Sequence, residues 1–192
     1  MQIIENFLPN KEFNNLQQFF MGPYIPWILN NTITNSETSI VSGYQFTHTF
    51  HNNADLLLEQ PESQFKPFLR NFLWKLRPSN IFRVKANLRP STTEIEGSGF
   101  HSDLPVKYVQ CKTAIYYINT CNGYTEFEKD HTQVRSVANR LIVFDSSDRH
   151  MGTTCTDKNV RVVLNVNYLE SYENGKPHKL KSAVSYKNNI NF

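Results

Sequence analysis

At 192 residues the chain fits one domain, with room for a core that needs neither metal nor disulfide staples. A net charge of +3 without a dense Lys/Arg block argues against a chain built mainly to grip a phosphate backbone, and leaves nucleic acid neither indicated nor excluded. Three cysteines, an odd number without CxxC spacing, argue against a disulfide framework and suit a reducing compartment.

The opening residues Met1-Gln2-Ile3-Ile4-Glu5-Asn6 lack the charged region and apolar stretch of a signal peptide. No run approaches the roughly 18 apolar residues of a membrane span. The expectation is a cytoplasmic protein with no membrane partner. Aromatic residues, 13% of the chain, lean toward strands rather than a helical bundle.

The first pattern in chain order is Phe13, Leu16, Phe19 and Phe20 at helical spacing. It predicts a helix over 11–21, capped by Asn10 and stopped by Gly22-Pro23. Residues 23–53 are mixed, with 43–50 the best strand candidate. Phe65, Phe68, Leu69, Phe72, Leu73 and Leu76 stripe a second amphipathic helix over 64–76, which Pro78 ends.

From residue 81 the texture changes to short β-rich runs, at 81–88, 112–118, 123–127, 132–137, 140–144 and 160–169. Turn-prone Asn122-Gly123 and Asp157-Lys158-Asn159 lie between them. Many short strands without intervening helices predict a sandwich, jelly roll or barrel. The expected class is mainly β with flanking helices (α+β). A single domain spans 1–170, helical over 1–80 and β over 81–170. The tail, 171–192, has few apolar anchors and is expected to be extended or poorly ordered.

The chemistry concentrates in Phe100-His101-Ser102-Asp103. Side chains at i and i+2 of an extended segment share a face, so His101 and Asp103 can converge on one ion. A third donor must come from elsewhere. His150 is best placed, just after the apolar run 140–144. Two imidazoles and one carboxylate leave three positions of an octahedral ion open, which suits non-haem Fe(II).

If Asp157-Lys158-Asn159 is a hairpin tip, His150 lies opposite Asn165, and Arg161 opposite Thr154. Arg161 and Asn165 then share a face, about 13 Å apart at a rise of about 3.3 Å per residue. An arginine there could grip one end of a dicarboxylate whose α-keto acid end chelates the metal.

The ordered set resembles the Fe(II)/2-oxoglutarate-dependent dioxygenases, especially the prolyl 4-hydroxylase-like branch that includes viral and phage forms. It comprises His101-Ser102-Asp103, Thr113-Ala114-Ile115-Tyr116-Tyr117-Ile118-Asn119, Asn122-Gly123-Tyr124-Thr125-Glu126-Phe127, Arg140-Leu141-Ile142-Val143-Phe144-Asp145, His150 and Arg161. The resemblance covers residues 81–169, and more weakly Phe7-Leu8-Pro9.

It implies a double-stranded β-helix (a cupin-like jelly roll) with N-terminal helices packed on it. It also implies catalytic Fe(II) on His101, Asp103 and His150. 2-Oxoglutarate would be held by a salt bridge from Arg161 and a hydrogen bond from Tyr117. O2 is the second co-substrate and ascorbate a supporting reductant. The implied reaction is hydroxylation with release of succinate and CO2, first on a prolyl or other side chain of a peptide or protein. The implied setting is the cytoplasm, the host's if the chain is virus-encoded.

Two departures stand out. Leu88-Arg89-Pro90 replaces the Tyr-x-Pro of relatives, leaving neighbouring Asn87 to supply a lost contact to 2-oxoglutarate. Gly123-Tyr124 replaces a double glycine.

Two other readings stay open. One is oxidative demethylation of a nucleobase, with Tyr24, Trp27, Tyr44 and Phe46 offering stacking surfaces. The other is a non-enzymatic jelly-roll metal-binding protein. His48, His51, His131 and His178 read as surface or internally satisfied residues, and Cys111, Cys121 and Cys155 as reduced structural thiols.

Overall fold

The computed structural model describes residues 1–36, 39–53, 62–104 and 111–183. The chain runs β1 (Gln2–Ile4), α1 (Asn10–Met21), β2 (Ile28–Ser36), β3 (Ser39–Asn52), a 3-10 turn (Lys66–Leu69), α2 (Arg70–Leu76) and β4 (Pro78–Pro90). It continues through β5 (Cys111–Tyr117), β6 (Tyr124–Phe127), β7 (Gln133–Arg135), β8 (Leu141–Asp145), β9 (His150–Gly152) and β10 (Val160–Glu170). It closes with β11 (Tyr172–Glu173) and β12 (Lys176–Pro177).

Seven strands form one antiparallel sheet in the order β1-β8-β5-β10-β4-β3-β2, and β7-β6-β9 form a second. Strand β10 shows how the large sheet divides the molecule. Val162, Leu164, Val166 and Tyr168 point outward and join the large core with Phe13, Leu16, Phe19 and Phe20 of α1 and Phe72 and Leu76 of α2. The alternate residues, Arg161, Val163, Asn165 and Asn167, point toward the small sheet. There Ile115, Tyr117, Ile142, Phe144 and Val163 of the large sheet meet Phe127 and Val134 of the small one. One strand therefore serves an apolar core on one face and a polar cavity on the other. This is a jelly roll with helices on its outer face.

The N-terminal arm is anchored through Asn139. Its amide donates to the Leu8 carbonyl (2.8 Å), and its Oδ1 accepts from the Leu8 N–H (2.8 Å) and the Tyr116 hydroxyl (2.6 Å). Phe7 packs edge-on against Phe72 and Tyr116, with centroids 5.5 and 5.9 Å apart. Asn139 has a φ of 65°, which asparagine tolerates better than most residues.

Several expectations are corrected. Residues 1–80 are as much strand as helix, because β2 and β3 extend the large sheet beyond β4. Asn10 is not the cap of α1. The helix starts at Asn10, and the carbonyl of Pro9 accepts from the Phe13 N–H at 2.9 Å. The second helix begins as a 3-10 turn carrying Pro67, so its stripe breaks and Phe68 is exposed.

The tail does not simply trail away. β11 and β12 form a small hairpin around Asn174-Gly175, both at positive φ, and the Ala183 N–H reaches the Asn6 carbonyl at 2.7 Å. The tail expectation for 184–192 lies outside the described residues. No helix among the described residues is long and apolar enough to cross a membrane.

Residues 150–169 are not one hairpin. β9 pairs with β6 in the small sheet, while β10 lies in the large one. The intervening segment bonds elsewhere: the Thr154 N–H donates to the Glu96 carbonyl (2.9 Å), and the Thr92 N–H to the Cys155 carbonyl (3.2 Å). His150 does not face Asn165 across a ladder; the two approach from opposite sheets.

Replacing Asn139 by alanine would strand the buried Leu8 backbone groups and the Tyr116 hydroxyl and place alanine at positive φ. We expect a loss of about 3 kcal/mol, read as a lower urea midpoint.

Candidate active site

His101 and His150 are joined by their backbones. Each donates its N–H to the other's carbonyl at 2.9 Å, an antiparallel bridge that sets both rings on one face with centroids 4.9 Å apart. Each ring's Nδ1 lies 3.0 Å from a carbonyl oxygen, of Gly99 for His101 and of Asp148 for His150. A carbonyl can only accept, so Nδ1 carries the proton and the Nε2 lone pair is free.

His150 Nε2 lies 3.7 Å from Asp103 Oδ2, and ligand atoms of His101, Asp103 and His150 all fall within 4.8 Å of one another. Two free imidazole lone pairs beside one carboxylate are donors suited to a divalent transition metal. These are the three residues picked out by the sequence.

Asp103 is buried and heavily coordinated. Its oxygens accept from Arg83 Nη2 (2.9 Å), Thr113 Oγ1 (2.9 Å), Asn165 Nδ2 (3.1 and 3.2 Å) and Asn167 Nδ2 (3.2 Å). Burial alone would favour the neutral acid. Attraction to the protonated form of His150, to Arg83 and to the protonated form of His101, with the Asn165 hydrogen bond, outweighs it and holds the carboxyl well below the ordinary range; with both imidazoles neutral, Arg83 is the standing charge. Burial pushes the His101 imidazole down, and neighbouring His150 adds to this, so the neutral, ligating form is favoured.

The triad opens into a cavity of roughly 310 Å³ between the sheets. Arg161 and Arg89 both line it, are directly paired across β10 and β4, and are only 4% and 5% exposed. Arg161 donates to Thr125 Oγ1 (3.2 Å) and the Thr153 carbonyl (3.4 Å). Arg89 donates to the carbonyls of Gly152 (3.0 Å) and Glu96 (3.2 Å). Neither Nε has a partner among the described residues.

Among the described residues no carboxylate touches either guanidinium. Burial, followed by the charge of Arg161, pushes Arg89 down to about 10, with Glu96 opposing from outside the cavity wall. Two like charges facing each other in a dry wall oppose folding unless an anion joins them.

Glycines make the room. A Cβ on Gly123 would stand 2.7 Å from Arg161 Cδ and 2.5 Å from the Thr154 carbonyl oxygen, and one on Gly152 would stand 3.3 Å from Arg161 Nη1.

Tyr117 is placed differently from expectation. It does not line the cavity; its hydroxyl donates to Thr125 Oγ1 (2.9 Å) and the Val134 carbonyl (3.2 Å), and its ring lies 5.5 Å from the Arg161 guanidinium. A phenol has one proton to donate, and here it goes to Thr125 and Val134. Tyr117 therefore backs Arg161 and Thr125 from behind. Asn87 does face the cavity, whereas Leu88 packs against the large core.

No site role is expected from the sequence for Arg83, Lys85, Arg89 or Thr125, whereas Asn167, which shares a face with Arg161 and Asn165, is found hydrogen-bonded inside the barrel to Asp103 and Thr113. The signal was present for β4, where Arg83, Lys85, Asn87 and Arg89 alternate at the strand period and all four line the cavity.

The remaining histidines sit elsewhere. His48 is held by the Pro26 carbonyl and Ser63, His51 by Glu62, His131 by Glu126, and His178 lies near Glu173. None of Tyr24, Trp27, Tyr44 and Phe46 lines the cavity, and Phe46 pairs with Leu88 on the opposite face of the sheet. All three cysteines are free and buried. Cys121, Cys155 and Asp157 cluster within 4.8 Å, and burial with neighbouring Cys121 raises the Cys155 thiol to about 11, so it is held as the unreactive thiol.

No protein-family model and no curated protein matches the sequence. Solved structures do. A prolyl hydroxylase from Trichoplax adhaerens, in complex with a hypoxia inducible factor peptide fragment, superposes with a TM-score of 0.60 at 16% identity, covering 88% of this chain and 82% of that one. A 2OG-Fe(II) oxygenase family oxidoreductase from Burkholderia pseudomallei gives 0.56 at 13% identity, covering 90% and 82%. The epimerase SnoN from nogalamycin biosynthesis, solved with Fe3+ and alpha ketoglutarate, gives 0.55 at 9% identity, covering 96% and 91%.

The fold is that of the 2OG-Fe(II) oxygenases. Within it, His101, Asp103 and His150 of this chain line one cavity together with Arg89 and Arg161.

His150→Ala should reduce Co(II) affinity by more than the roughly 10–100-fold typical of losing an outer-shell partner. Far-UV circular dichroism should stay unchanged, and undiminished Co(II) absorbance would remove His150 from the ligand set.

Proposed function

We propose that the protein is an Fe(II)- and 2-oxoglutarate-dependent dioxygenase that hydroxylates a substrate with release of succinate and CO2. The observation that carries this reading is the pairing of two features in one cavity. A cluster of two free imidazole nitrogens and one ionised carboxylate lines the same cavity as two buried arginines that have no acid partner among the described residues. A dicarboxylate with a metal-chelating keto acid end answers both.

His101, Asp103 and His150 would hold the metal. Bound there, Fe(II) supplies the redox chemistry that couples decarboxylation of 2-oxoglutarate to substrate oxidation. The chain's own work is positioning. Gly99 and Asp148 fix the imidazole tautomers through their carbonyls, and Arg83, Thr113, Asn165 and Asn167 keep Asp103 ionised and oriented.

Arg161, seated over Tyr117 and tied to Thr125, is aimed to receive the distal carboxylate with little reorganisation. Arg89 adds a second positive charge at that end, where relatives of the prolyl hydroxylase type carry Tyr-x-Pro. Ile115 and Val163 give the cavity an apolar stretch of wall between its charged groups. A peptide side chain is the first substrate to test, in keeping with the peptide complex of the Trichoplax adhaerens neighbour.

Adding 2-oxoglutarate to the anaerobic Fe(II) protein should produce a weak visible charge-transfer band, and air should then yield succinate. No band, with zinc tightly held instead, would overturn the reading. Arg161→Ala should weaken 2-oxoglutarate binding by about 2 kcal/mol or more while Fe(II) affinity changes little; an unchanged 2-oxoglutarate titration would remove Arg161 from this role.

A further inference from the structure

Lys85 carries a charge that dioxygenase chemistry leaves unused. The inward stripe of β4 is set against β10, with Arg89 beside Arg161, Asn87 beside Val163, Lys85 beside Asn165 and Arg83 beside Asn167. Arg89 and Arg161 occupy one end. Arg83, Asn165 and Asn167 occupy the other, where all three bind Asp103. Lys85 is half-buried in the cavity wall at the Asp103 end, four residues, or about 13 Å along the strand, from Arg89. It makes no hydrogen bond or ion pair among the described residues.

Arg83, Lys85, Arg89 and Arg161 face the cavity, and Asp103 is the one acid among its lining residues. A divalent ion and a dicarboxylate cancel each other, so loading both leaves the excess positive charge as it was. Three positive charges stay in excess after loading. Arg83 is paired with Asp103, the distal carboxylate of 2-oxoglutarate would lie between the two arginines, and Lys85 is the cation at the metal end with no hydrogen bond or ion pair among the described residues. Burial opposes the Lys85 charge and neighbouring Arg83 repels it, while Asp103 attracts it, so a partly desolvated ammonium here costs free energy that an entering anion recovers.

We infer that the primary substrate bears a carboxylate or phosphate and that Lys85 receives it. This rests on the dioxygenase reading and narrows its substrate class. The compact ammonium on a four-carbon stem suits a single oxyanion presented near the metal. The anion's source is a free small acid or an acidic side chain in a peptide; the recognising chemistry is the same.

The test uses the Fe(II) protein under anaerobic conditions, saturated with 2-oxoglutarate so that its charge-transfer band is visible. Inorganic phosphate is then titrated while the band is followed. Saturable perturbation is expected, with Lys85→Met weakening it about ten-fold or more and Lys85→Arg restoring most of it. A visible band that phosphate does not perturb overturns the inference and leaves the dioxygenase reading intact. So does phosphate that acts only by displacing 2-oxoglutarate, or binding that Lys85→Met leaves unchanged. Failure of the band itself removes both.

A second arm identifies the source. Succinate release is measured with free small acids and with capped acidic peptides, each against its amide. A preference for the acid of about ten-fold or more in either set supports the inference, and equal stimulation by acid and amide in both overturns it.

Discussion

Asp103 lies on a loop between two sheets, and its buried carboxylate binds side chains from three adjacent strands of the large sheet: Arg83 of β4, Thr113 of β5, and Asn165 and Asn167 of β10. Two residues earlier, the backbone of His101 is bridged to His150 of the small sheet. The short segment from 101 to 103 therefore fastens one sheet to the other. A buried carboxylate without such partners would take up a proton or move to solvent. Here the groups that keep it charged also fix its position, so the acid that could ligate a metal is the same group that aligns the two halves of the site.

That arrangement depends on strands with two different faces. Outward residues of β10 bury apolar surface against α1, α2 and the Phe7–Tyr116–Phe72 cluster, and this core fixes the strand without involving the cavity. The inward residues are then free to be polar. Arg161, Asn165 and Asn167 would be costly in an ordinary core, and each keeps at least one buried polar atom without a partner among the described residues. The apolar face supports what the polar face leaves unsatisfied.

The His101, Asp103 and His150 cluster was legible because its signal is local and ordered. His101 and Asp103 share a strand-like face, and His150 follows an unmistakable buried strand. Arg161 was legible for a similar reason, as a lone cation opening an apolar run. Its expected distance partner was reached by a faulty route, since a turn-prone Asp157-Lys158-Asn159 reads the same whether it closes a hairpin or carries the chain between sheets. Only the long-range bonds from Thr154 and Cys155 to the 92–96 segment distinguish them. Strands β2 and β3 were half-hidden by Asn, Thr and Ser, which read as loop until their pairing with β4 is known. Tyr117 was assigned by resemblance alone, and the resemblance carries no information on where its single proton goes.

The positive charge of the cavity follows from the same alternation. A strand with one face against an apolar core can place charges only on the other, so Arg83, Lys85, Asn87 and Arg89 fall into one line facing the site. Arg89 adds a full positive charge directly beside Arg161 on the neighbouring strand. Glycines at 123 and 152 leave the space that the Arg161 side chain occupies. Electrostatics on this scale acts on the whole cavity, because a low-dielectric wall screens little. A binding site with this excess discriminates first by the sign of the charge on what enters, and only then by shape.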